Sequence, residues 1–88
     1  MIQIEASGIA DVQIRVRGIS ERLRRMPAGG FDNVYPAKKG DVIEVIVKGL
    51  DPKGNAPWCR ITVDGRIWRD QADLPMKQVT CTGTIGEP

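Results

Sequence analysis

Residues 59–81 read "CRITVDGRIWRDQADLPMKQVTC" and contain both cysteines of the 88-residue chain. Taken with the tryptophan before it, "WCRITV" (residues 58–63) alternates, with Cys59, Ile61 and Val63 on one face and Trp58, Arg60 and Thr62 on the other. That period of two is the mark of a half-buried strand. The following Asp64-Gly65 pair is a hairpin signal, because a type I′ turn needs two successive residues that tolerate positive φ. A two-residue loop there predicts Val63 opposite Arg66 and Ile61 opposite Trp68, with Trp68 in the core and Ile67 beside Thr62 on the outer face. The last strand, "KQVTCTGT" (residues 77–84), sets Val79 and Cys81 on one side. Both cysteines therefore fall on the apolar side of their strands.

The rest of the chain also reads as strands and turns. "IQIEA" (residues 2–6) and "DVQIRVR" (residues 11–17) alternate, the second with Val12, Ile14 and Val16 facing one way and Gln13, Arg15 and Arg17 the other. "ISERLRRM" (residues 19–26) has helix-favouring side chains, but Gly18 and Pro27 bracket a run of only eight residues, too short for an independent helix, and a strand is expected. "PAGGFDNVYPAKKGD" (residues 27–41) reads as a long loop with one short edge strand near Val34 and Tyr35. "DVIEVIVKG" (residues 41–49) is the most β-branched run, with Ile43, Val45 and Val47 inward, and "DPKG" (residues 51–54) suits a type I turn. The expected core comprises Val12, Ile14, Val16, Ile43, Val45, Val47, Cys59, Ile61, Val63, Trp68, Val79 and Cys81.

At this length the chain is a single domain, residues 1–88, whose folding buries only about 60–65% of the surface the unfolded chain exposes, so any crosslink weighs heavily. A hydrophobic fraction of 41% and a charged fraction of 27% are those of a globular protein, which sets aside disordered and fibrous classes. No apolar run approaches the ~20 residues needed to span a bilayer. The opening "MIQIEASG" has neither the basic start nor the apolar core of a secretory signal, so the chain taken as it stands is expected to be soluble and cytoplasmic.

The net charge of +2 is unevenly placed: residues 12–26 carry Arg15, Arg17, Arg22, Arg24 and Arg25 against one Glu21, a local excess of +4. Arg15, Arg17, Arg22 and Arg24 could form a cationic face across two adjacent strands, able to engage phosphates, acidic headgroups or an acidic protein surface. The plainer reading is a solvated face that discourages edge pairing. Nucleic acid is disfavoured as a partner, because none of the four aromatic residues interleaves with the arginines. Trp58, facing outward beside Arg60, reads equally as a contact residue or as a partly covered edge tryptophan.

Chemistry has few candidates. Zinc wants four ligands from Cys, His, Asp or Glu, and the chain has no histidine and no second cysteine near either thiol. A C-x-x-C redox motif is absent, and a nucleophilic cysteine would want a histidine base. The carboxylates Glu5, Glu44, Asp64 and Asp70 fall on separate strands or turns. No catalytic residue, metal site or cofactor is therefore expected. For the cysteines, a structural disulfide and two buried free thiols both remain open.

The run "CRITVDG" (residues 59–65), with a second cysteine 22 residues after the first, resembles the soluble domain of the mycobacterial membrane protein small (MmpS) family. "IEASGIADVQIRV" (residues 4–16) is similar to that domain's opening strand, loop and second strand, and "GDVIEVIVKG" (residues 40–49) to its central strand. The resemblance implies an all-β, Ig-like β-sandwich of about seven strands, with Cys59 and Cys81 bridged outside the cytoplasm. It also implies a non-enzymatic accessory role beside a large RND-type (MmpL) exporter of lipids or siderophores, at the cell envelope or periplasm, with the transporter or its lipid-like cargo as partner. Family members carry an N-terminal transmembrane helix, which these residues do not contain. A different expectation follows if the chain is complete as it stands: a small actinobacterial or phage-borne protein that captures a host partner through its arginine face or the Trp58 edge, with Arg60 beside it.

Overall fold

The computed structural model describes residues 1–88 and contains eight strands and no helix. They are β1 (Ile2–Ala6), β2 (Ala10–Val16), β3 (Ile19–Leu23), β4 (Phe31–Tyr35), β5 (Val42–Gly49), β6 (Trp58–Val63), β7 (Arg66–Ala72) and β8 (Gln78–Thr84). Two antiparallel sheets of four form a β-sandwich, one in the order β4-β1-β6-β7 and the other β3-β2-β5-β8. The number of strands matches the segments read from the sequence and exceeds by one the count that the resemblance implied. The run at residues 19–26 is a strand over Ile19–Leu23, and the strand near Val34 and Tyr35 is the edge strand β4, as expected.

Alternation explains why these segments pair as they do. β2 buries Ala10, Val12, Ile14 and Val16, and β5 buries Ile43, Val45, Val47 and Gly49, each on a strict period of two. Their register sets Val12 opposite Val47, Ile14 opposite Val45 and Val16 opposite Ile43, so β-branched side chains meet across the ladder on the core face. The facing sheet supplies Ile2, Ile4 and Ala6 from β1, Cys59 and Ile61 from β6, and Tyr35 from β4. A one-residue slip in any of these strands would turn the whole apolar row to water, which pins the register.

Two tight hairpins lie at one end of the sandwich. At the β6–β7 turn, Asp64 and Gly65 have φ of 49° and 80°, the pair of positive values that a type I′ turn demands. The pairing beyond it differs from expectation. Val63 meets Arg66 and Thr62 meets Ile67, but a bulge between Ile61 and Thr62 sets Ile61 opposite Arg69, leaving Trp68 as the extra residue. Trp68 is accordingly only partly buried against the core, as is Val63. Both expected core positions are corrected on this ground: Trp68 by the bulge, and Val63 by its place at the last rung before the turn. The segment at residues 51–54 is also organised differently. Instead of a backbone bond closing the turn, the Asp51 carboxylate accepts from the Lys53 and Asn55 main-chain N–H groups, at 2.9 and 3.1 Å, and from the Asn55 amide at 2.9 Å. This is Asx-type chemistry. These bonds, led by the Lys53 N–H, pull the Asp51 carboxyl down to about 2.

Candidate functional site

The bridge comes first, because it determines which surfaces are held rigid. Cys59 on β6 and Cys81 on β8 are joined as a disulfide, with their Cα atoms 6.2 Å apart, and the two strands belong to opposite sheets. Both half-cystines are buried, 0% and 1% exposed, so the crosslink passes through the centre of the core and out of reach of solvent.

The structure divides the four arginines of the basic patch. Arg15, opposite Glu44 in the β2–β5 ladder, is ion-paired with it at 3.8 Å. Arg17 lies beyond the end of β2 with φ of 57° and pairs with Asp41 at 3.5 Å. Arg22 and Arg24 have no carboxylate partner. Together with Lys48, which is likewise unpaired, they line an open groove of about 210 Å³ on the outer face of the β3-β2-β5-β8 sheet. Gln13 and Gln78 contribute amides, and Ile46 apolar surface. Asp11 is the one carboxylate in the lining, and its Oδ1 already accepts the Arg25 main-chain N–H at 2.9 Å. Sequence reasoning found Arg22 and Arg24 but not Lys48, which the β2–β5 register brings opposite Asp11.

Trp58 and Arg60 lie on the outer face of the other sheet. The Arg60 guanidinium carbon sits 5.7 Å from the centroid of the Trp58 ring and one Nη lies 3.5 Å from Asp70. Such a stacked cation contributes about 0.5–1 kcal/mol at an exposed site. Trp58 is half-buried, and its main chain is tied to Ser7 in both directions: Trp58 N–H donates to Ser7 Oγ at 3.2 Å, and Ser7 N–H donates to Trp58 O at 3.0 Å. These two bonds fasten the start of β6 to the end of β1, and the positive charge of Arg60 is already met by Asp70.

A second tryptophan cluster escaped sequence reasoning. The Trp68 indole N–H donates to Glu87 O at 2.9 Å, and the Arg69 guanidinium carbon lies 4.0 Å from the Trp68 ring centroid. Arg69 also donates to Thr82 O at 2.9 Å, Pro88 O at 3.0 Å and Glu87 Oε1 at 3.2 Å. The cluster clips residues 85–88 over the seam between β7 and β8. Gly83 makes room for it, since a Cβ there would lie 2.6 Å from Trp68 Cη2. An isolated glycine inside the alternating "QVTCTGT" was the available signal, because such a glycine marks a close approach. On the opposite side of the sandwich the Tyr35 hydroxyl donates to Glu21 Oε1 at 3.2 Å, joining edge strands β4 and β3. Burial, with the Glu21 charge behind it, pushes the phenol pKa above its ordinary value.

Fold and surface together define a disulfide-braced β-sandwich domain that carries one uncompensated cationic groove. No family model, curated protein or solved structure matches the chain.

Proposed function

We propose that the chain is a non-enzymatic binding domain of the MmpS type, acting at the cell envelope by contacting a large RND-type exporter or its lipid or siderophore cargo. The observation that carries the reading is the buried Cys59–Cys81 bridge between the two sheets. Structural disulfides form and persist in oxidising compartments, and small domains that lack a large core are the ones that depend on them. The string "CRITVDG" with its second cysteine supports the same assignment. The groove lined by Arg22, Arg24 and Lys48 supplies a contact surface, because cations without internal partners are free to meet an anionic one.

Affinity purification of the tagged chain from the detergent-solubilised envelope of its natural host tests the proposal. The expected result is a large RND-type exporter in the complex, retained less well by the Arg22→Gln/Arg24→Gln/Lys48→Gln variant. An exporter absent from the complex while the chain is recovered from the soluble cytoplasm would overturn it. That second outcome would favour the other reading, a phage or mobile-element protein that captures an acidic host surface. The unpaired state of Arg22 and Arg24 is what supports this alternative. The Trp58 edge supports it less, since Arg60 already covers the indole and is neutralised by Asp70.

A further inference from the structure

The two broad faces of the sandwich carry opposite charge. On the outer face of the β4-β1-β6-β7 sheet, the register sets Asp32, Glu5, Arg60 and Asp70 in one row across all four strands. Three carboxylates there meet one guanidinium, which leaves the row at −2. The outer face of the other sheet carries Arg15, Arg22, Arg24 and Lys48 against Asp11 and Glu44, which leaves it at +2.

Neither surplus is relieved within the chain. Arg60 forms its ion pair with Asp70 at 3.5 Å, which leaves Glu5, opposite it in the β1–β6 ladder, without a cation. Glu5 and Asp32 are directly opposite each other in the β1–β4 ladder, and like charges so placed destabilise a sheet. Asp32 accepts from the Gln3 amide at 2.9 Å, and neither carboxylate is in an ion pair. Arg22, Arg24 and Lys48 are the matching unpaired cations, but they lie on the face that points the other way. The acidic row of one molecule is out of their reach, whereas that of a second molecule is not. Exposed apolar side chains border both surfaces. In the rung beside the acidic row, Val34 and Ile67 are 49% and 59% exposed at the two edges of the sheet. Ile46 lines the cationic groove, and Val42, 61% exposed, follows on the same face of β5.

We infer that the cationic groove of one molecule docks on the acidic row of a second copy of this chain, so that the domain associates head to tail. Charge complementarity selects the partner: the surplus of each face is the inverse of the other. The two surfaces differ, so the contact is heterologous, and because they lie on opposite faces the stack stays open instead of closing at a dimer. Four strands about 4.8 Å apart and about six residues long, at ~3.3 Å per residue, make a face roughly 20 Å square. Two such faces bury less than about 1,200 Å² together, the size of a transient encounter. Association is therefore weak, sensitive to salt and progressive with concentration. The inference goes beyond the envelope reading and can fail separately from it, since a variant of the acidic row keeps the groove that would meet an exporter.

Sedimentation velocity of the purified domain tests the contact, using two variants and their mixture. The parent should grow in mass with concentration past the dimer, and its association should weaken at least about tenfold between about 0.05 and 0.5 M salt. Glu5→Gln/Asp32→Asn and Arg22→Gln/Arg24→Gln/Lys48→Gln should each remain monomeric alone. Mixed in equal amounts they should form a one-to-one dimer that grows no further, because each supplies the surface the other has lost. Amide signals of Glu5, Asp32, Arg22 and Lys48 in the isotope-labelled parent should shift together with protein concentration, a readout that needs no variant to fold. A parent that stays monomeric up to about 1 mM overturns the inference. So does a parent that stops at a dimer, which would identify a contact of one patch with itself. Association that persists in either variant, a mixture that remains monomeric while the parent associates, or concentration-dependent shifts confined to one face would overturn it as well.

Discussion

Replacing Cys59 and Cys81 together by alanine removes a crosslink that closes a loop 22 residues in separation. In the chain-entropy model a loop of that length is worth roughly 3 kcal/mol, through the conformations it denies to the unfolded chain. A domain of this size has a total stability of about 4–13 kcal/mol, so the bridge supplies between a quarter and most of it. The melting temperature should fall by at least about 12 °C, since each kcal/mol is worth about 4–8 °C in so small a domain. Thermal and urea denaturation of the double variant beside the oxidised parent is the assay. Variants serve better than reductant here, because both sulfurs are buried and a reductant reaches them only through opening. The urea dependence should also steepen, because an uncrosslinked unfolded chain exposes more surface. A double variant that melts within about 3 °C of the parent would refute the reasoning, since it would mean that the bridge restrains little in the unfolded ensemble.

Tyr35 is the only tyrosine, so its phenolate absorbance can be followed without interference. Burial and the Glu21 carboxylate raise its pKa, so stability is fully present below the unfolded value near 10 and is lost as pH rises through the folded value; a spectrophotometric midpoint at or below 10 would contradict the Tyr35–Glu21 contact. Asp51 runs the other way. Its carboxyl is depressed from 3.8 to about 2, so its stabilising contribution is present above 3.8 and fades as pH falls through about 2, and a carboxyl carbon NMR titration should find that low midpoint. Substituting Asp51→Asn should leave the bend less ordered, read as faster amide exchange at Lys53 and Asn55, the two N–H groups the carboxylate accepts. Gly8→Ala should cost about 3 kcal/mol or prevent folding, because the new Cβ would collide with the main-chain carbonyl oxygens of Pro27 and Ala28, which cannot swing aside; a loss below about 1 kcal/mol in urea denaturation would show that the loop yields.

What could be read from the sequence was local. Strands β2, β5, β6 and β8 declare themselves through a period of two in β-branched and cysteine positions, and the Asp64-Gly65 turn through two residue types that tolerate its positive dihedrals. The bulge beside Ile61 left no such mark, because "GRIWRD" alternates no better in one register than in the other; the cluster of Trp68, Arg69 and Glu87 rewards the shifted register only once the C-terminal residues fold back. Tyr35 was read as part of an edge, where exposure is the default, yet it is 4% exposed because the opposite sheet brings Glu21 to its hydroxyl. Whether two inward cysteines meet depends on their strands lying in different sheets at the same height, which no single strand reveals. The arginine set shows the same limit. Alternation predicts which way Arg15 and Arg22 point, but the carboxylate that neutralises Arg15 and the lysine that joins Arg22 both arrive on β5, more than twenty residues further along the chain.

The most direct test of the account is the redox state of Cys59 and Cys81 in the living host. Rapid acid quenching of cells, alkylation of free thiols under denaturing conditions and mass analysis of the chain would read it without disturbing the bridge. A domain that works on the envelope side in an oxidising compartment should be recovered with both cysteines refractory to the alkylating reagent until a reductant is added. Recovery of the chain with both cysteines alkylated, and no oxidised fraction, would contradict the account.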